Sequence, residues 1–191
     1  MPSLRGTQTE RNLLLAFAGE SQARNRYTFF ASQAKKEGYE QIAAVFSDTA
    51  DNEREHAKRF FRFLEGGEVE ITGSFPAGVI GSTAENLAAS ADGERHEHSE
   101  LYPEFARVAE TEGFPGIAAV FRAVAVSEQG HEQRFRALLA NLQGERVFSR
   151  EGRAVWRCRN CGYLHEGPTA PEVCPACAHP QAYFELKAEN Y

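Results

Sequence analysis

Ile42-Ala43-Ala44-Val45-Phe46 recurs unchanged as Ile117-Ala118-Ala119-Val120-Phe121, an offset of 75 residues. The same offset carries Glu37-Gly38 onto Glu112-Gly113 and Arg59-Phe60 onto Arg134-Phe135. With one residue of slippage, Gly19-Glu20 maps onto Gly93-Glu94 and Asn12-Leu13 onto Asn86-Leu87. Self-similarity at a fixed spacing marks a repeated structural unit. The unit reads as a pair of helices joined by a tight turn. Thr7-x-x-Glu10 and Ser82-x-x-Glu85 both have the capping-box pattern. Gly38 and Gly113 stand where the first helix of each pair should stop, and Pro115 suits an early helical position. The pattern predicts helices over 8–36, 39–65, 83–111 and 115–143, with a kink or break at Pro103.

Between Gly66 and Gly81 the chain is rich in Gly, Phe, Val and Ile and has no helical period, as expected of a long crossover. Two antiparallel helix pairs joined in this way make an all-α, ferritin-like four-helix bundle. The helical pattern stops near Gly144, dividing the chain into a bundle over 1–145 and a small aromatic-rich tail over 146–191. With 42% hydrophobic and 25% charged residues the chain is globular. A net charge of −6 argues against a nucleic-acid partner, which requires clustered Lys and Arg. No apolar run approaches the roughly 20 residues that span a bilayer. Met1 to Glu10 is polar, without the apolar core of a signal peptide, so the expected compartment is the cytoplasm.

Each helix carries a carboxylate that follows the duplication. Glu20 and Glu94 form one pair, and Glu53-x-x-His56 and Glu128-x-x-His131 the other. Residues three apart share a helical face, so each Glu and His can reach one ion. Neighbouring Ala50, Ala57, Phe60, Val124, Ala125 and Phe135 turn that face inward. Buried adjacent carboxylates cost several kcal/mol per ion unless cations compensate. One Glu from each of two helices with Glu-x-x-His from each of the others is the ligand set of di-iron and di-manganese bundles. The competing reading, surface ion pairs, does not explain why both motifs and both partner carboxylates are duplicated. Glu97, one turn after Glu94, offers a seventh ligand where the first half has Gln22 or Ala23; an exposed Glu in the polar run 94–100 is the alternative. His96 and His98 in that run read as solvated. Tyr27 and Tyr102, again 75 apart, are candidate phenolic donors to ligand carboxylates and candidate proton carriers, or core packing. Gly19, Gly93 and Gly130 each lie within two residues before a candidate ligand in a helix interior, leaving room either for metal and oxidant or for a close helix crossing.

All four cysteines fall in the tail, as Cys158-x-x-Cys161 and Cys174-x-x-Cys177. Two such knuckles in a short segment make a tetrahedral four-sulfur site for iron or zinc, a choice the spacing leaves open. Trp156, Tyr163, Tyr183 and Phe184 would form a core too small to fold well without the metal.

Ala18-Gly19-Glu20-Ser21-Gln22-Ala23-Arg24-Asn25-Arg26-Tyr27, Glu53-Arg54-Glu55-His56-Ala57, the run Glu94 to Glu97 and the knuckles together resemble the rubrerythrin family from end to end. The resemblance implies two iron ions in the bundle and one iron in the four-cysteine site, acting as a one-electron relay. It implies that Glu20, Glu53, Glu94, Glu97, Glu128 and His131 hold the oxidised pair, with Glu53 and Glu128 bridging. It further implies that one iron moves between the Glu97 side and His56 as oxidation state changes. The expected reaction is reduction of hydrogen peroxide to water, with electrons from an external reductase or rubredoxin. A homodimer or larger assembly is expected, the rubredoxin-like tail of one subunit approaching the di-iron site of another. The rival expectations are a ferroxidase that sequesters iron, and a bundle with a structural zinc in its tail.

Overall fold

The computed structural model describes residues 3–189. Its helices are α1 (Gln8–Lys36), α2 (Glu40–Phe61), α3 (Thr83–His96), α4 (Tyr102–Thr111) and α5 (Pro115–Gln143). α1 lies against α2, and α3 and α4 lie against α5, so the two helix pairs expected from the repeat are present. α2 ends at Phe61 instead of 65, because residues 62–64 tighten into i→i+3 turns ahead of the left-handed glycines Gly66 and Gly67.

The expected third helix, 83–111, is interrupted by a wide turn over Glu97–Leu101, in which the Tyr102 N–H bonds the Glu97 carbonyl five residues back. The duplication explains it. The offset is 74 residues at Glu20/Glu94 and 75 at Tyr27/Tyr102, so the second half holds one extra residue between these landmarks. An α-helix would turn Tyr102 about 100° off the core for one added residue, whereas a π-type turn absorbs it. Pro103, which has no N–H to donate and would clash with the carbonyl four residues back, sits in the first turn of α4 and favours the break.

The two halves cap each other. The Glu112 carboxylate accepts the backbone N–H groups of Gln8 and Thr9 at 3.0 and 2.7 Å and the Thr9 hydroxyl at 2.6 Å. Its repeat mate Glu37 accepts the Thr83 N–H at 3.0 Å. The ends of α1 and α4 close on Gly38 and Gly113 with φ of +85° and +84°, a backbone that glycine adopts without strain.

Along each long helix the buried residues form three layers. Leu13, Glu20 and Tyr27 recur at seven-residue steps, as do Phe46, Glu53 and Phe60, and Phe121, Glu128 and Phe135; Leu87, Glu94 and Tyr102 follow with the one extra residue. One apolar cluster gathers Leu13, Phe60, Tyr102 and Phe121, the other Tyr27, Phe46, Leu87 and Phe135. The four carboxylates lie between them, all at most 1% exposed.

The tail is a three-stranded antiparallel sheet, β1 (Ser149–Cys158), β2 (Leu164–Thr169) and β3 (Phe184–Leu186), in the order β2-β1-β3. Trp156 fills its core with Cys158, Ala170, Cys174 and Phe184 and donates its indole N–H to the Gly167 carbonyl at 3.0 Å. The tail rests on the bundle near the start of α2, where Tyr39 stacks on Phe148 with centroids 6.2 Å apart and Gly38 faces Ala182. No helix among the described residues is long and apolar enough to cross a membrane.

Candidate metal centres

Seven-residue spacing brings Glu20, Glu53, Glu94 and Glu128 to one level of the bundle, and the i, i+3 steps to His56 and His131 add an imidazole on either side. Glu53 and Glu128 each turn one oxygen to each histidine. His56 Nδ1 lies 2.8 Å from Glu53 Oε2 and 2.9 Å from Glu128 Oε1. His131 Nδ1 lies 2.7 Å from Glu128 Oε2, 3.1 Å from Glu53 Oε1 and 3.7 Å from Glu94 Oε2. The result is two overlapping donor groups, Glu20-Glu53-His56-Glu128 and Glu53-Glu94-Glu128-His131, each with its ligand atoms within 4.8 Å of one another.

These atoms crowd together without being satisfied. Glu20 Oε2, Glu53 Oε1, Glu94 Oε2, both Glu128 oxygens and His131 Nδ1 are buried and, close as they lie to one another, none has a well-aligned hydrogen bond. Orphaned buried acceptors are costly and rare. Two cations placed between the groups, sharing Glu53 and Glu128, would satisfy all of them. Electrostatics agree. Burial and the Glu128, Glu97 and Glu53 carboxylates push Glu20 well above the usual carboxylate range, and burial raises Glu94 to about 8. The carboxylates around the two imidazoles overcome burial and raise His56 to about 10 and His131 to about 12.

Both tyrosines act across the duplication. The Tyr27 hydroxyl donates to Glu94 Oε1, and the Tyr102 hydroxyl donates to Glu20 Oε1. Each phenol is buried, and that burial with the adjoining carboxylates raises it well above its ordinary value, so it remains a donor. Glu97 stands outside both donor groups, at the start of the wide turn, half-buried on the wall of a cavity. Burial and the Glu94, Glu128 and Glu53 carboxylates hold its carboxyl well above the usual range. His96 is exposed and faces Glu100 at 3.2 Å. His98 is half-buried and bonds Glu132 at 2.6 Å, tying the wide turn to α5 without reaching the cluster.

Sequence reasoning missed Asn52, whose Oδ1 lies 3.2 Å from His131 Nε2, the ring nitrogen turned away from the carboxylates. The repeat carried no signal for it, because the equivalent position in the second half is Ser127. At Gly93 and Gly130 an added Cβ would meet nothing within 4 Å, and at Gly19 only the Phe75 ring at 3.9 Å. These glycines leave space; they do not permit a helix crossing.

In the tail, Cys158 and Cys177 Sγ are 3.8 Å apart and Cys161 and Cys174 Sγ 3.7 Å, all four unbridged. A tetrahedron with metal–sulfur bonds of about 2.3 Å has edges of about 3.8 Å. The thiols are pre-arranged for one ion. The residue after the second cysteine of each knuckle, Gly162 or Ala178, is left-handed, and its N–H returns to the carbonyl of the first cysteine at 2.8 Å. The backbone N–H of His179 also bonds the Cys177 sulfur and pulls its thiol down to about 6.

A duplicated bundle with a buried carboxylate-histidine layer, followed by a four-thiol knuckle pair, defines a ferritin-like di-iron protein with a rubredoxin-like domain. A family profile described as rubrerythrin matches residues 11–139, and one described as the rubredoxin-like domain of rubrerythrin matches residues 156–185. The chain is 64% identical over 189 residues to rubrerythrin of Porphyromonas gingivalis, covering 99% of this chain and 94% of that protein. It is 60% identical over 191 residues to rubrerythrin of Nitratidesulfovibrio vulgaris, covering the whole of both. Among solved structures, the fully reduced, all-ferrous state of nigerythrin superposes with a TM-score of 0.64 at 32% identity, covering 96% of this chain and 91% of that one. The chain belongs to the rubrerythrin family. Its metals are those of the family, a pair of irons in the bundle and one iron on the four thiolates, and its role is that of an iron-based oxidoreductase.

Proposed function

We propose that the protein is a peroxidase that reduces hydrogen peroxide to water. The observation that carries this reading is the joining of a buried carboxylate-histidine cluster to a four-thiol site in one chain, a pairing that suits a catalytic centre fed by an electron relay. Iron storage, the rival reading, requires no electron input to the bundle. When bound, the iron pair supplies two electrons which, with two protons, convert one peroxide into two waters, and the cysteine-held iron returns electrons singly from an external reductase or rubredoxin.

The remaining work falls to side chains. Glu53 and Glu128 would bridge the ions, with Glu20 and His56 completing one half and Glu94 and His131 the other; Glu97 would be a further ligand. Tyr27 and Tyr102 hold Glu94 and Glu20 in place and keep a proton at each phenolic oxygen beside the reacting centre. Glu97 lies on the wall of the cavity beside Tyr102. Cys158, Cys161, Cys174 and Cys177 would hold the relay iron, and four unbridged thiols fit a reducing cytoplasm.

The same reading divides the chain into a di-iron domain over 1–145 and a relay domain over 146–191. The relay domain rests at Tyr39, fourteen residues along α2 from Glu53, a helical distance of about 20 Å. A homodimer, in which each relay serves the bundle of its partner, is the assembly this reading expects. Stopped-flow mixing of the fully reduced protein with peroxide and, separately, with oxygen tests the function. Oxidation should be much faster with peroxide. The reverse order would assign the protein to the ferroxidases or oxidases.

A further inference from the structure

The crossover between α2 and α3 lies over one flank of the carboxylate layer. Its residues Gly73–Pro76 roof a cavity of about 250 Å³, with Gly19 and Gly93 at its floor and Glu97 and Tyr102 on its wall. The cavity continues into a surface groove of about 640 Å³ that shares Gln22, Arg26, Pro76 and Gly93. The opening is built into the sequence. Each floor glycine directly precedes a carboxylate of the cluster, in a helix interior where glycine costs about 1 kcal/mol relative to alanine, and an added Cβ would project into open space. The roof is tied down by the Gln22 amide donating to the Pro76 carbonyl. Two polar atoms on this route are buried without partners, Gln22 Oε1 and Arg26 Nε. An unpaired acceptor and an unpaired donor beside one cavity call for a small polar guest.

We infer that this cavity is the route by which peroxide reaches the carboxylate cluster, and that Phe75 with the two glycines sets the largest hydroperoxide admitted. The inference rests on the peroxidase reading for its substrate, but not for its geometry. Hydrogen peroxide both donates and accepts hydrogen bonds, so Gln22 Oε1 and Arg26 Nε can each pair with it along the way. The route ends at Glu97 and at Tyr102, whose hydroxyl donates to Glu20 of the cluster.

Two variants of the iron-loaded protein test this. Gly93→Leu fills the floor, and Phe75→Ala removes the roof ring. The first measurement is the rate at which azide binds the oxidised protein, followed by charge-transfer absorption. Gly93→Leu should slow binding roughly tenfold, with the final spectrum unchanged. The second is oxidation of the reduced protein by hydrogen peroxide and by the bulky cumene hydroperoxide. Phe75→Ala should raise the rate with cumene hydroperoxide roughly tenfold while the rate with hydrogen peroxide stays near that of the parent. If Gly93→Leu does not load iron, Phe75→Trp replaces it, with slower azide binding expected. Azide rates and hydroperoxide preference unchanged in both variants would overturn the inference. A parent protein that prefers oxygen to peroxide would defeat the peroxidase reading and leave the azide result to decide the route.

Discussion

His56 and His131 are related by the duplication, yet they are held differently. The outer nitrogen of His131 is met by Asn52 at 3.2 Å, whereas among the described residues no group bonds the outer nitrogen of His56. An anchored imidazole keeps its tautomer and ring orientation, and loss of such a partner costs about 10–100-fold in metal affinity. Asn52→Ala should therefore weaken one of the two metals in a titration of the metal-free protein by that order and leave the other unchanged. Equal weakening of both would refute the asymmetry. The four carboxylates of the buried layer were legible in the sequence because the repeat printed each motif twice, and the repeat likewise exposed Tyr27 and Tyr102, whereas Glu97 has no mate in the first half. It could not reveal which carboxylate each phenol bonds, since that contact runs from one half to the other. Asn52 was illegible for a different reason, because no residue repeats it.

The helices were legible from caps and glycines, and their pairing from the tight turns. The wide turn at Glu97–Leu101 was visible as one residue of slippage and as Pro103, but a period read along one chain does not distinguish a kink from a bulge. The long-range caps were hidden too: Glu37 and Glu112 read as helix ends, while their carboxylates close the helix starts of the opposite pair. Glu112→Ala should lower stability by about 1 kcal/mol, as loss of an N-terminal cap does. Glu37→Ala should act in the same direction and, being remote from Glu112, should add to it in the double variant. Thermal unfolding of the three variants measures both effects, and a double variant no weaker than either single one would show that the caps are not independent.

Metal and fold are coupled throughout the molecule. In the metal-free protein Glu94 is raised by burial to about 8, so its contribution is full below the ordinary value of 4.5 and lost as pH rises towards 8. His56, raised to about 10 by the surrounding carboxylates, contributes fully below 6.5 and loses that contribution progressively as pH rises from there through its folded value. Glu128, held low by His131 and His56 despite its burial, runs the other way, losing its contribution as pH falls below 4.5. The melting temperature of the metal-free protein should therefore fall between about pH 5 and pH 8. The iron-loaded protein, whose ions require deprotonated ligands, should not show that fall. The tail offers a separate signal. Trp156 is the single tryptophan and is fully buried beside Cys158 and Cys174, so stripping the tail metal should shift its emission to the red while helical circular dichroism persists.

The crossed tyrosines bear on where such a molecule comes from. Because Tyr27 serves Glu94 and Tyr102 serves Glu20, one helix pair alone carries a phenol with no carboxylate to bind and a carboxylate with no phenol. Two copies of a single pair, related by a twofold axis, would complete the ring of bonds between them. The chain is in effect two copies of one helix pair joined covalently, the second holding one residue that the first lacks, and its buried layer is complete only with both.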